Sequence, residues 1–140
     1  MSDDKLEKIE NNKQKPNPSD ILQMARVYQA PELCNYYCHY LCEIGEKYVP
    51  ELPESSLHEI ILNLIDSLDD VQDSKRILVK ISADGTFDED EVYTLAQIQN
   101  HLEKVAIMSR SLQMFVEKKI QSGEISQELY EKAKAGLYQD

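Results

Sequence analysis

The sequence predicts an all-α protein: a small N-terminal helical cluster (a partial helix-turn-helix) packed on a long antiparallel helical hairpin, plus a short C-terminal helix. Three observations predict it. Only 4 Gly and 5 Pro occur in 140 residues, so few sheet turns can be built. Leu, Glu, Lys, Gln and Ile, all common here, suit helices. The apolar residues recur at helical spacing rather than in strict alternation. A hydrophobic fraction of 41% is enough for a real core, and the length allows one ordinary domain with at most a small appendage.

Ser2 is placed to cap a short helix over Asp3 to about Glu10, with Asp3 and Asp4 at the favourable end of its dipole. NNKQKPNP then reads as a loop. Asn17 caps a second helix with Pro18 in its first turn and Ile21, Leu22, Met24, Ala25 and Tyr28 as its buried stripe. A third helix starts at Pro31, carries Leu33, Cys34, Tyr37, Cys38, Leu41 and Cys42, and ends over Cys42-Glu43-Ile44-Gly45. Residues 1–44 form this first region, and residues 45–54, with Pro50 and Pro53, read as a connector.

Residues 55–140 change character. Leu57, Ile61, Leu64, Leu68, Val71 and Leu78 follow a seven-residue repeat, flanked by Ile60, Ile65 and Ile81. After a turn at SADGTFDEDE, the residues Val92, Leu95, Ile98, Leu102, Val105, Leu112, Phe115, Val116 and Ile120 trace a second stripe up to Gly123. Two such helices joined by a short loop pack as an antiparallel hairpin. Glu124 to about Leu137 is a last amphipathic helix capped by Ser126. The stripes are wider than one hairpin can cover, which predicts a homodimer, in a four-helix arrangement, or a protein partner.

The net charge of −11 falls wholly on residues 31–140, because five basic and five acidic groups balance over residues 1–30. DNA affinity is built largely on phosphate neutralisation, so most of the chain should repel DNA. Contacts to DNA are confined to the neutral N-terminus, where Lys5, Lys8, Lys13 and Lys15 are candidate phosphate contacts, supplemented by Asn11, Asn12 and Gln14. The first twenty residues lack an apolar h-region and no apolar run reaches 18 residues, so a cytoplasmic protein without a membrane span is expected.

Residues 5–30 resemble the rear half of a lambda-repressor-like helix-turn-helix domain. The features are Leu6-Glu7-Lys8-Ile9-Glu10-Asn11-Asn12-Lys13, Pro16, Pro18 and Ile21-Leu22-Gln23-Met24-Ala25, with Asn12 where a left-handed turn residue is wanted. The string PELCNYYCHYLCEIGEKYVPEL and the two-helix segment turning at ADGTFDEDE are similar to the C-terminal region of such bacterial regulators from clostridia and related Firmicutes. The resemblance implies a transcription regulator. The front helices of that family have no counterpart before Met1, so DNA binding is expected to be incomplete.

Two further motifs carry possible chemistry. Cys34, Cys38 and Cys42 recur at i, i+4 and i+8, each step rotating about 40° around a helix, so they line one winding face. Neighbouring pairs could share a metal, but the outer two lie about 12 Å apart on a straight helix. The dull alternative is three buried apolar thiols, and no cofactor is required. Lys80 to Glu91 matches the second half of a calcium loop through Asp84, Gly85, Asp88 and Glu91. Lys80 and Ser82 hold its first two ligand positions, so a helix-loop-helix turn is the better reading: Gly85 in a positive φ, Phe87 plugging the core, Asp88 capping. The histidines His39, His58 and His101 are scattered and expected to face solvent. No phosphate loop, nucleophile elbow or HExxH occurs, so no enzyme is expected. A non-enzymatic regulatory protein supplying dimerisation or partner contacts is the leading reading; a metal- or redox-responsive protein using the three cysteines is the alternative.

Overall fold

Short polar side chains fix where the helices begin. The computed structural model describes residues 1–136 and, at Asp84, the backbone alone; Leu137, the expected end of the last helix, lies outside the described residues. The Ser2 hydroxyl accepts from the Lys5 N–H and starts α1 (Asp3–Glu10). Asn17 and Asp20 cap each other's backbone N–H groups at 2.9 and 3.0 Å, starting α2 (Pro18–Val27). Ser56 and Glu59 do the same for α5 (Leu57–Asp73), and Asp88 and Glu91 for α7 (Glu89–Gln121). Ser126 caps α8 (Gln127–Lys134). Each pairing satisfies donors that a helix start would otherwise leave open.

One closing motif recurs. After α1, Lys13 N–H reaches the Lys8 carbonyl and Asn12 N–H the Ile9 carbonyl, with Asn12 at φ 56°. After α2 the same pair of bonds forms around Gln29 at φ 53°, and after α7 around Gly123. These are Schellman ends. Asn12 takes the left-handed role its position suggested. Gln29 does so without glycine's freedom, a strain of roughly 1–2 kcal/mol that the N–H groups at its turn help offset.

The described residues contain helices and no strand. The chain divides into two compact units, Met1–Leu52 with the chain from Met114 onward, and Pro53–Gln113. α7 therefore contributes to both.

In the first unit Ile9, Ile21 and Ala25 are buried. Leu22 and Tyr28, expected in the buried stripe of α2, are exposed, while Asp20 is buried. The stripe is rotated because Asp20 must turn inward to hold both the Asn17 N–H and the Lys5 ammonium, the latter at 2.6 Å. The third helix also departs from expectation. It is α3 (Glu32–Tyr36), then one π turn over Tyr37–Leu41, then an extended Cys42 from which a new helix, α4 (Glu43–Tyr48), departs. Helix thus fills part of the expected connector, whose non-helical stretch begins only at Val49. The reason is Gly45, which is buried so tightly that a β-carbon there would fall on the Cys38 carbonyl. The end of α7 is tied in by a Lys118–Glu32 ion pair at 3.1 Å and by Gln29 donating to the Gln121 carbonyl.

In the second unit α5 is followed by α6 (Lys75–Asp84), not by one uninterrupted helix. Ser74 separates them: its hydroxyl donates back to the Asp70 carbonyl, a bond that bends helices. Gly85 at φ 68° ends α6. The buried positions are Ile60, Ser67 and Ile81 on α5 and α6, and Glu91, Ile98 and Ser111 on α7. The seam expected through Leu57, Ile61 and Leu68 is therefore out of phase, and the supposed flanking residues Ile60 and Ile81 are the core.

Two outcomes test this architecture. Gly45→Ala should cost about 3 kcal/mol or prevent folding, because backbone rather than a flexible side chain must move; urea denaturation followed by circular dichroism measures it. Asp20 is held below the usual carboxylate range by the Asn17 N–H bond first and by Lys5 second. A depressed carboxyl stabilises the fold above its unfolded value near ~3.9 and that contribution disappears as pH falls through the folded value. Between pH 5 and pH 3 (chosen to bracket ~3.9) the melting temperature of the parent should fall more than that of Asp20→Asn.

Candidate functional site

In the N-terminal turn the seven DNA-contact candidates do not act alike. Lys5 is committed to Asp20, Lys8 to Asp4 at 2.6 Å, and the Asn11 amide donates to the Glu7 carbonyl. Lys13, Gln14 and Lys15 remain exposed beyond the left-handed Asn12. The Gln14 N–H bonds back to the Lys8 carbonyl, which folds the loop over the end of α1. Two of the four candidate phosphate contacts are thus neutralised by carboxylates of their own chain.

The cysteines lie on three different local geometries. Cys34 is in α3, Cys38 in the π turn, and Cys42 is the extended residue whose sulfur accepts from the Gly45 N–H at 3.4 Å. All three are free and partly buried. Among the described residues no group of three His, Cys, Asp or Glu side chains gathers as a metal-ligand set. Burial pushes the Cys34 thiol up, with Cys38 and Glu117 adding to it. A raised thiol is the opposite of what a reactive or metal-binding thiolate needs.

The structural role of this stretch belongs to its other residues. Asn35 donates its amide to the Pro50 carbonyl and accepts from the Leu52 N–H, both at 2.9 Å. His39 Nδ1 meets the Val49 carbonyl at 2.7 Å. One turn apart, the two side chains hold the extended segment 49–52 as a neighbouring strand would. His39 is therefore a backbone anchor, not a solvent-facing imidazole.

The calcium-like turn is occupied by its own chain. Asp88 and Glu91 are paired in the capping box, and Glu91 is buried there. The Asp84 side chain lies outside the described residues. Phe87 is 58% exposed and plugs nothing.

The uncovered apolar surface lies on one side of the α5–α7 pair. Relative to buried Ile60, the α5 residues Asn63 and Asp70 turn one way by about 60–80°, and Leu57, Ile61 and Leu68 turn the other by about 60–100°. Asn63, Asp66 and Asp70 share a groove with Lys104 and Met108 of α7, and Asp70 lies 3.9 Å from His101. His101 is thus half-buried between helices, not free in solvent. That groove fixes the polar side of the pair. In antiparallel helices, turns of the same sense fall on the same side. Leu57, Ile61, Ile65 and Leu68 therefore share the opposite side with Val92, Leu95 and Leu102, and all seven are exposed.

No helix is long and apolar enough to cross a membrane among the described residues. Compared with known proteins, the chain matches no family model, no curated protein and no solved structure.

Alkylation with iodoacetamide at pH 8, read by mass spectrometry, checks the thiols. Cys34 should react several-fold more slowly in the folded protein than after denaturation, as a raised thiol pKa requires; equal or faster reaction would revive the redox reading.

Proposed function

We propose that this chain is a non-enzymatic regulatory protein that works by association, with the apolar side of its α5–α7 pair as a homodimer interface. The observation that supports the reading is the run Leu57, Ile61, Ile65, Leu68, Val92, Leu95 and Leu102, contiguous on one side and open to water. Contiguous apolar surface of that kind marks an interaction site.

The placement of charge favours a second copy as the occupant. Asp66, Asp69, Asp70 and Asp73 of α5 all turn away from this side, by about 80–180° from Ile60 and toward the groove. The apolar side of α5 therefore sets no like charge against a second copy, and an isologous interface covers the same seven residues on both copies at once. DNA contact, in this reading, is secondary and limited to Lys13, Gln14 and Lys15. The resemblance to helix-turn-helix regulators supports the regulatory role, with effector contacts taking precedence over DNA reading.

Sedimentation equilibrium at micromolar concentration tests it. A dimer is expected, and Ile65→Glu with Leu68→Glu should give a monomer with unchanged helical circular dichroism, since both residues are exposed. A monomeric parent protein would overturn the proposal.

A further inference from the structure

The N-terminal loop does more than expose amides and lysines. Folded back by the Asn12 turn, it walls a cleft of about 410 Å³ against the π turn. That volume lies within the ~300–1,000 Å³ of ordinary small-ligand sites. Its floor is apolar: Ile9 from α1, Pro16 from the loop, Tyr37 and Leu41 from the π turn. Its rim is polar, made by Asn12, Gln14 and Lys15. Leu41 is more than half exposed there, an unusual state for a leucine facing a concavity.

The rim cation is the informative group. Five lysines of the first unit are engaged with carboxylates, Lys5 with Asp20, Lys8 with Asp4, Lys118 with Glu32, Lys119 with Glu124 and Lys132 with Glu128, and Lys47 and Lys134 lie over tyrosine rings; of the lysines left over, Lys15 is the one that lines the cleft. Lys15 has no acidic partner among the described residues, in a chain with 26 acidic residues. An uncommitted ammonium above an apolar floor recognises an anion that carries an apolar body. A phosphate backbone is held by several cations at once, whereas this cleft offers one, and its apolar floor of Ile9, Tyr37 and Leu41 adds nothing to phosphate neutralisation.

We propose that this cleft binds a small amphipathic carboxylate, the carboxylate held by Lys15 with the Asn12 and Gln14 amides, and the hydrocarbon laid against Ile9, Pro16, Tyr37 and Leu41. The π turn makes the site possible, because it presents Tyr37 and Leu41 together at the loop. Such widened turns recur at functional positions. Occupancy would clamp the loop to the π turn and withdraw Gln14 and Lys15 from any DNA, giving the regulatory reading an effector site.

Sodium octanoate is the probe, with 1-octanol and inorganic phosphate as controls, followed by amide chemical shifts in the labelled full chain. Saturable shifts confined to residues 9–16 and 37–41 with octanoate alone are expected. Lys15→Gln should weaken binding about tenfold, the loss of one charge-assisted contact. Leu41→Asp should abolish it while leaving the dispersion of the spectrum intact. Equal response to 1-octanol would show that charge is not read and overturns the proposal. Equal response to phosphate would show that the floor is not used, and no saturable shift would show that the cleft is empty; each overturns it.

Discussion

The passage of α4 across the Cys38 carbonyl governs the first unit. It is possible only because residue 45 has no β-carbon. With α4 so close, a regular helix cannot continue through residues 37–41, and the chain adopts the wider π turn before reversing at an extended Cys42. From that one approach follow the separation of the three cysteines onto different geometries, the return of Val49–Leu52 alongside Asn35 and His39, and the placement of Tyr37 and Leu41 beside the N-terminal loop. Filling the space at residue 45 would disturb all of these together, since interiors transmit strain rather than absorb it.

Local chemistry in this sequence was legible where it is decided within four residues. Ser2, Asn17, Asp88 and Ser126 cap the helices they precede, and Asn12 adopts the left-handed conformation its position called for. Phase was not legible. α5 carries apolar residues on two adjacent lines, and periodicity alone cannot say which line faces α7. The larger side chains Leu57, Ile61 and Leu68 marked one line; the buried one runs through Ile60 and Ser67, and a serine gives no apolar signal to mark it. The π turn was equally hidden, because its cause, Gly45, read as a helix stop. His39 was missed because its partner, the Val49 carbonyl, is backbone and has no sequence signature.

Charge placement in the N-terminal turn separates the roles of residues that look alike in sequence. Lys5 and Lys15 are both lysines near the same turn. Lys5 reaches a buried carboxylate that also caps α2, so removing it from Asp20 would leave that carboxylate short of a partner. Lys15 sits past the loop's backbone bonds and is free to meet a ligand. Lys8 lies between these cases, in an exposed i, i+4 pair of the kind that contributes a few tenths of a kcal/mol. A ligand can therefore recruit Lys15 at no structural cost, Lys8 at little, and Lys5 only by opening the α1–α2 contact.

Self-association must overcome the like charge of the two copies. Each carries −11. Placed roughly 25 Å apart in water, with a screening length of about 8 Å, two such charges repel by about 1 kcal/mol. Seven half-exposed apolar side chains on each copy contribute roughly 1 kcal/mol apiece when covered, about 14 kcal/mol gross for the pair. Lost translational and rotational freedom opposes this by ~4–15 kcal/mol. The repulsion is the smallest of the three quantities. Association in the proposed dimer is therefore decided by how completely the apolar side is covered, since the aspartates of α5 turn away from that side and add no close like-charge contact to the screened net repulsion.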